Sequence, residues 1–98
     1  MQYEAKIHKR VTKFVKRQDK KTKQRLKNAI LEIVENPYGA SNIEMLSGYE
    51  STFKKRIGDF RIIYEIYDET AYIFVIDLGN RGEIYNRCKK IYKLLCLD

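Results

Sequence analysis

The chain has 98 residues, 44% apolar and 34% charged, with five glycines and one proline, a composition that fits one globular domain over residues 1–98 and excludes a disordered chain. Its 20 Lys and Arg against 13 acids leave a net charge of +7, which on so small a domain points to a polyanionic partner, nucleic acid or an acidic protein. No apolar run approaches the roughly 18 residues that a membrane span requires, and no membrane partner is expected.

The chain opens Met-Gln-Tyr-Glu with no apolar leader, so the protein is expected to stay where it is made, in the cytoplasm. Residues 2–8 alternate in polarity as a first strand, at whose end stands His8, the only histidine. Its expected role is structural or solvated. Lys9 to Gln18 carries Val11, Phe14 and Val15 at helical spacing. Asp19 either ends this helix or caps the next. From Thr22 the stripe Leu26, Ala29, Ile30, Ile33 and Val34 defines a longer helix, with Lys23, Arg25, Lys27, Glu32 and Glu35 on its opposite, solvated face. Asn36-Pro37 stops it, because a residue before proline avoids the helical region. The two helices are expected to form a hairpin on the apolar side of a sheet. Residues 37–42 form a loop, and residues 43–48 lead onward.

Phe53 to Tyr64 is the most informative stretch. Gly58-Asp59 separates two alternating runs, the pattern of a two-residue hairpin in which glycine takes a positive φ. In that register Ile57 faces Phe60, Arg56 faces Arg61 and Lys54 faces Ile63. Phe53, Ile57, Phe60, Ile62, Tyr64 and Ile66 then share a core face, while Lys54, Arg56 and Arg61 share the other. Directly opposed arginines repel. Either they are splayed into solvent, or an anion belongs over them.

The second hairpin strand runs to about Tyr67, Asp68 to Thr70 turns the chain, and Ala71 to Leu78 reads as a buried strand. Gly79-Asn-Arg-Gly82 reads as a second turn before Glu83-Ile-Tyr85. A terminal amphipathic helix follows over residues 86–97, with Cys88, Ile91, Leu94 and Leu95 on one side. Its two cysteines stand eight residues apart, about 12 Å along a helix, too far for a disulfide. The fold class is therefore α+β: an N-terminal strand, a two-helix hairpin, a three-stranded antiparallel meander and a C-terminal helix.

Several chemistries find no residues. The chain has no phosphate-cradling glycine loop, no Cys/His set at metal spacing and no Ser/His/Asp set, so neither metal nor small-molecule cofactor is expected. Arginines, lysines and tyrosines remain. Such a set can grip phosphate through charged hydrogen bonds and stack unpaired bases.

The order of elements, the segment Leu46-Ser-Gly48, the run Gly58-Asp-Phe-Arg-Ile-Ile-Tyr64 and the run Gly79-Asn-Arg-Gly-Glu-Ile-Tyr85 together resemble the RelE/ParE superfamily of type II toxin–antitoxin toxins. The chain looks most like the RelE branch. That resemblance implies a toxin acting as a ribosome-dependent, metal-independent endoribonuclease, an mRNA interferase that cuts mRNA in the ribosomal A site. It also implies a RelB-like or other cognate antitoxin, with the ribosome and mRNA as further partners. Lys54, Arg61, Arg81 and Tyr85 match the branch's catalytic positions and Arg56 stands where its best-known member has a second lysine, although the Arg81–Tyr85 spacing is shorter than in that member. Glu44 aligns loosely with a carboxylate used by another RelE-like toxin and is an accessory candidate. The alternatives are a ParE-like inhibitor of DNA gyrase without nuclease activity, and a degenerate RNA-binding member. ParE-like chains usually lack the pairing of Lys54 with Tyr85.

Metal-free RNA cleavage uses the ribose 2′-hydroxyl against the adjacent phosphate. It needs a proton acceptor, positive charge around the phosphorane and a donor for the departing 5′-oxygen. Arginine stays protonated, which suits Arg61 and Arg81 to the charge role. Proton transfer falls to Lys54, Tyr85 or Glu44. Surrounding cations should lower the pKa of Glu44, making it a weaker base better suited to orienting a cation.

Overall fold

A computed structural model of the chain describes residues 3–45 and 51–84. Strand β1 (Glu4–Ile7) leads into helices α1 (Lys9–Lys16) and α2 (Lys20–Glu35). Strands β2 (Ile43–Met45), β3 (Thr52–Ile57), β4 (Phe60–Tyr67) and β5 (Tyr72–Asn80) follow. The strands form one sheet in the order β1-β5-β4-β3-β2. Strands β2 to β5 are antiparallel neighbours, and β1 lies parallel to β5 at the far edge. The architecture is α+β, as the sequence pattern implies. Residues 81–84 are helical, while Tyr85 and the terminal helix expected over 86–97 lie outside the described residues.

Each helix starts on a side-chain cap. Nδ1 of His8 accepts from the Arg10 amide at 3.1 Å, which gives the single histidine the structural role expected of it. A carboxylate oxygen of Asp19 accepts from the Thr22 amide at 3.3 Å, so Asp19 caps α2 and that helix begins at Lys20. The apolar stripe Leu26, Ala29, Ile30 and Ile33 joins Val11 and Val15 against Phe53, Ile62, Tyr64, Ile66, Ile73, Val75 and Leu78. Burying each large aliphatic side chain in this layer contributes roughly 1.5–3 kcal/mol. Tyr64 is fully buried yet satisfied, because its hydroxyl donates to the Pro37 carbonyl at 2.7 Å.

The hairpin adopts the expected register, with Ile57 opposite Phe60, Arg56 opposite Arg61 and Lys54 opposite Ile63. Gly58 takes φ +56°, the left-handed value that this turn demands and that a side chain would resist.

Two expectations are corrected. Ile43–Met45 is no mere lead-in but a short edge strand paired with Lys55, Lys54 and Phe53. Gly79 to Gly82 is no turn. β5 runs on to Asn80, whose side-chain oxygen accepts from the Glu83 amide at 3.0 Å and starts the next helix at Arg81. Asn followed three residues later by Glu is the capping-box spacing, and that local chemistry overrides the turn preference of the flanking glycines.

A bulge changes which side of the sheet β5 presents. Ile63 pairs with Asp77 and Tyr64 with Val75, leaving Ile76 as the extra residue. Before the bulge Ile73 and Val75 face the helices; beyond it Leu78 does. Asp77 is thereby turned to the other face with Ile63, where Ile63, Ile76 and Ile84 form a second, smaller apolar cluster. That cluster seats the helical turn of residues 81–84 beside the cationic residues.

Candidate functional site

Directly opposed residues of antiparallel strands point to the same side of a sheet. Glu44, Lys54, Ile63 and Asp77 make one row across the face away from the helices, and Arg56, Arg61 and Gly79 make the next. Four of the six residues proposed from sequence (Glu44, Lys54, Arg56 and Arg61) therefore converge on one face. The fifth, Arg81, sits at the edge of that group. Its amide donates to the Asp59 carbonyl at 2.6 Å, tying the start of the last helix to the hairpin turn. Tyr85 is the sixth and lies outside the described residues.

Lys54 is not a free cation. Its Nζ is 2.9 Å from Oε1 of Glu44, directly across the β2–β3 pairing. The hydrogen bond from Lys54 holds the Glu44 carboxyl below its ordinary range, reinforced by the charges of Lys54, Arg56 and Arg61. Charge alone led to that expectation for Glu44. A carboxylate held in this way is a poor proton acceptor and a good positioning group for the ammonium.

Arg61 relieves the repulsion from Arg56 by turning back on its own hairpin. Its Nη1 donates to the carbonyls of Gly58 and Phe60, each at 2.9 Å. Arg56 and Arg81 have no ion-pair partner among the described residues. The face thus offers one neutralised lysine and three arginines without a carboxylate, an arrangement suited to a phosphate or another oxyanion. Among the described residues no three of His, Cys, Asp and Glu come together to hold a metal ion. No helix there is long and apolar enough to cross a membrane.

The sequence reading passed over Lys55. It stands on the core side of β3, is 2% exposed, and donates to the Ser41 carbonyl and to Glu32 at 2.8 Å. Glu32 also accepts from the Ser41 amide at 2.9 Å. These bonds pull the Glu32 carboxyl down to about 2, the hydrogen bond from Lys55 contributing most. Glu32, half-exposed as it is, thus ties α2 to the 37–42 loop and β3. The signal was present: a lysine between Phe53 and Ile57 on an apolar face needs a buried partner.

Among the described residues the five-stranded sheet carries two helices on one side and the cationic residues on the other, a small α+β scaffold. Residues 5–85 match the family described as ParE toxin of type II toxin-antitoxin system, parDE, and the chain belongs to this ParE/RelE toxin family. Over 72 residues it is 29% identical to the mRNA interferase toxin RelE of Escherichia coli K12, covering 69% of this chain and 74% of the relative. The archaeal RelE–RelB complex from Pyrococcus horikoshii OT3 contains a chain that superposes with a TM-score of 0.73 at 27% identity, covering 84% of this chain and 98% of that one. The isolated E. coli RelE toxin superposes with a TM-score of 0.68 at 26% identity, over 90% and 96% of the two chains.

Proposed function

We propose that this toxin is a RelE-like endoribonuclease that cuts mRNA in the ribosomal A site. The observation that carries the reading is the convergence of Lys54, Arg56 and Arg61 on one sheet face beside Arg81, with Glu44 holding the lysine. In this reading the 2′-oxygen bonds to the neighbouring phosphorus, the bond to the 5′-oxygen breaks, and a cyclic phosphate remains. Arg61 and Arg81 stabilise the charge that builds on the phosphorane oxygens. Arg56 grips the same phosphate, Tyr85 takes the proton of the 2′-hydroxyl, and the Lys54 ammonium returns one to the departing 5′-oxygen. Glu44 orients Lys54. A site with no histidine is a modest catalyst by itself, so a ribosome that aligns the 2′-oxygen with the phosphate supplies the missing orientation. By the same likeness to RelE–RelB complexes, a cognate antitoxin covers this toxin.

Primer extension on a translated mRNA after brief expression, with and without ribosomes, tests the reading. Codon-registered cuts that vanish without ribosomes are expected. The family's ParE description favours a second reading, a toxin that poisons gyrase without cutting RNA. An arrest with intact mRNA and inhibited gyrase supercoiling would establish that one instead.

A further inference from the structure

Beyond β2 the edge of β3 has no strand partner among the described residues. The β2–β3 pairing ends at Ile43 opposite Lys55, and only the bond from the Arg56 amide to the Asn42 carbonyl, 2.9 Å, continues it. There α2 faces the hairpin across an open cleft of about 390 Å³, lined by Arg25, Asn28, Asn42, Lys55, Arg56 and Gly58 among others. Lys55 and Glu32 neutralise each other in its floor. Arg25 has no ion-pair partner among the described residues, so the cleft carries uncompensated positive charge.

Gly58 joins this cleft to the cationic face. On one side its carbonyl accepts from Arg61 at 2.9 Å. On the other, Nη2 of Arg25 lies 3.0 Å from the position a Cβ would occupy. Two guanidinium groups, one from each side of the sheet edge, therefore flank a single residue at the hairpin tip. The lack of a side chain at Gly58 lets Arg25 come that close.

We infer that the cleft between α2 and the hairpin holds a second phosphate of a single-stranded RNA whose reacting phosphate lies at Arg61. Arg25 is its main ligand, and Asn28 and Asn42 offer neutral donors beside it. The inference rests on the proposed RNA-directed function and extends it from one phosphate to a track that turns round the hairpin tip. A contact made to the phosphate carries no base information, so this one is indifferent to sequence.

The test is fluorescence anisotropy with a labelled 2′-O-methyl oligoribonucleotide of about eight nucleotides, which the toxin can bind but not cut. Arg25→Ala should weaken binding about tenfold, the value of one charged hydrogen-bond contact. It should also reduce the slope of log K against log salt by about 0.7, the release expected for one phosphate on a single strand. Arg25→Lys should restore the slope. Lys27→Ala, on the opposite side of the same helix, should change neither quantity. Equal effects of Arg25→Ala and Lys27→Ala would overturn the inference, as would no binding by the unmodified toxin. Arg25-dependent binding of an acidic peptide in place of the oligonucleotide would also overturn it and assign the cleft to a protein partner. Because no cleavage is read, Arg25-dependent binding alongside uncut ribosomal mRNA would refute the nuclease reading and leave the cleft standing.

Discussion

Replacing Lys55 with methionine removes the charge that joins α2 to β3 while keeping much of the side chain's length and apolar stem. The lysine is 2% exposed and its bonds run to Glu32 and to Ser41. Breaking a fully buried pair costs about 3–5 kcal/mol, but the Glu32 side chain is 42% exposed and water can resolvate the orphaned carboxylate. A hydrogen bond to a charged group, about 1.5–3 kcal/mol, is the better measure, and methionine packing recovers part of it. The expected loss is about 2 kcal/mol, which for a domain of this size lowers the melting temperature by about 8–16 °C. The loss should also depend on pH. The folded Glu32 carboxyl sits at about 2 against an ordinary 4.5. A depressed folded pKa stabilises above the unfolded value, and that stability is lost as pH falls through the folded one. The gap between wild type and Lys55→Met should therefore be full above about pH 5 and shrink towards pH 2. Thermal unfolding followed by circular dichroism at a series of pH values reads both effects. Equal melting temperatures at pH 7, or a gap that does not close in acid, would refute the reasoning.

On expression, Arg61→Ala and Arg81→Ala should each relieve growth arrest at unchanged abundance and fold, and a fully toxic variant would remove its residue from the site. In single-turnover cleavage on programmed ribosomes, Glu44→Gln should cost about tenfold or less, whereas Lys54→Ala and Tyr85→Phe should each cost about a hundredfold, a usual range for proton-transfer groups. A larger loss for Glu44→Gln than for both others would make the carboxylate the base. At the opposite end of the sheet, Asp68 accepts from the hydroxyls of Tyr3 and Tyr38, and its hydrogen bond pushes Tyr38 up to about 12. Asp68→Asn should bring Tyr38 down towards the ordinary tyrosine range in a spectrophotometric titration. An unmoved curve would show that the bond does not persist in solution.

How much of this was legible in the sequence follows from how local each feature is. The β3–β4 register could be read because Gly58-Asp59 sets the turn, and a turn of two residues leaves one pairing that keeps Phe53, Ile62 and Tyr64 on a single face. The opposed arginines and their meeting with Lys54 came with it. β2 escaped notice because three residues cannot display an alternation; what makes Ile43–Met45 a strand is the bare edge of β3. The parallel pairing of β1 with β5 joins residues as far apart as Glu4 and Tyr72, and no local pattern encodes it. The bulge at Ile76 was hidden for a related reason. Ile-Phe-Val-Ile reads as a uniformly buried strand, and only the pairing shows where the faces exchange. Glu32 looked like an ordinary surface charge of α2 and Lys55 stood out in no pattern, because their meaning lies in the pair.

The cationic face is costly to hold without a ligand, and its arrangement shows how the cost is limited. Like charges directly opposed across two strands destabilise the pairing by some tenths of a kcal/mol. Arg61 offsets this with two carbonyl dipoles, and Lys54 with the single carboxylate of Glu44. The hairpin carbonyls and Glu44 are weaker or more exposed partners than a phosphodiester anion or a phosphorane would be, since the Glu44 side chain is 66% exposed. An entering phosphate competes with Glu44 for Lys54 and with the Gly58 and Phe60 carbonyls for Arg61. Each exchange replaces a partial or solvated charge by a full one inside the site. Interactions of that kind strengthen as negative charge builds on the reacting oxygens, so under the proposed nuclease function the face would favour the transition state over the resting toxin. An acidic segment that supplied carboxylates in the same places would meet the same cations without reacting, and the charge pattern that binds substrate is also open to an inhibitor.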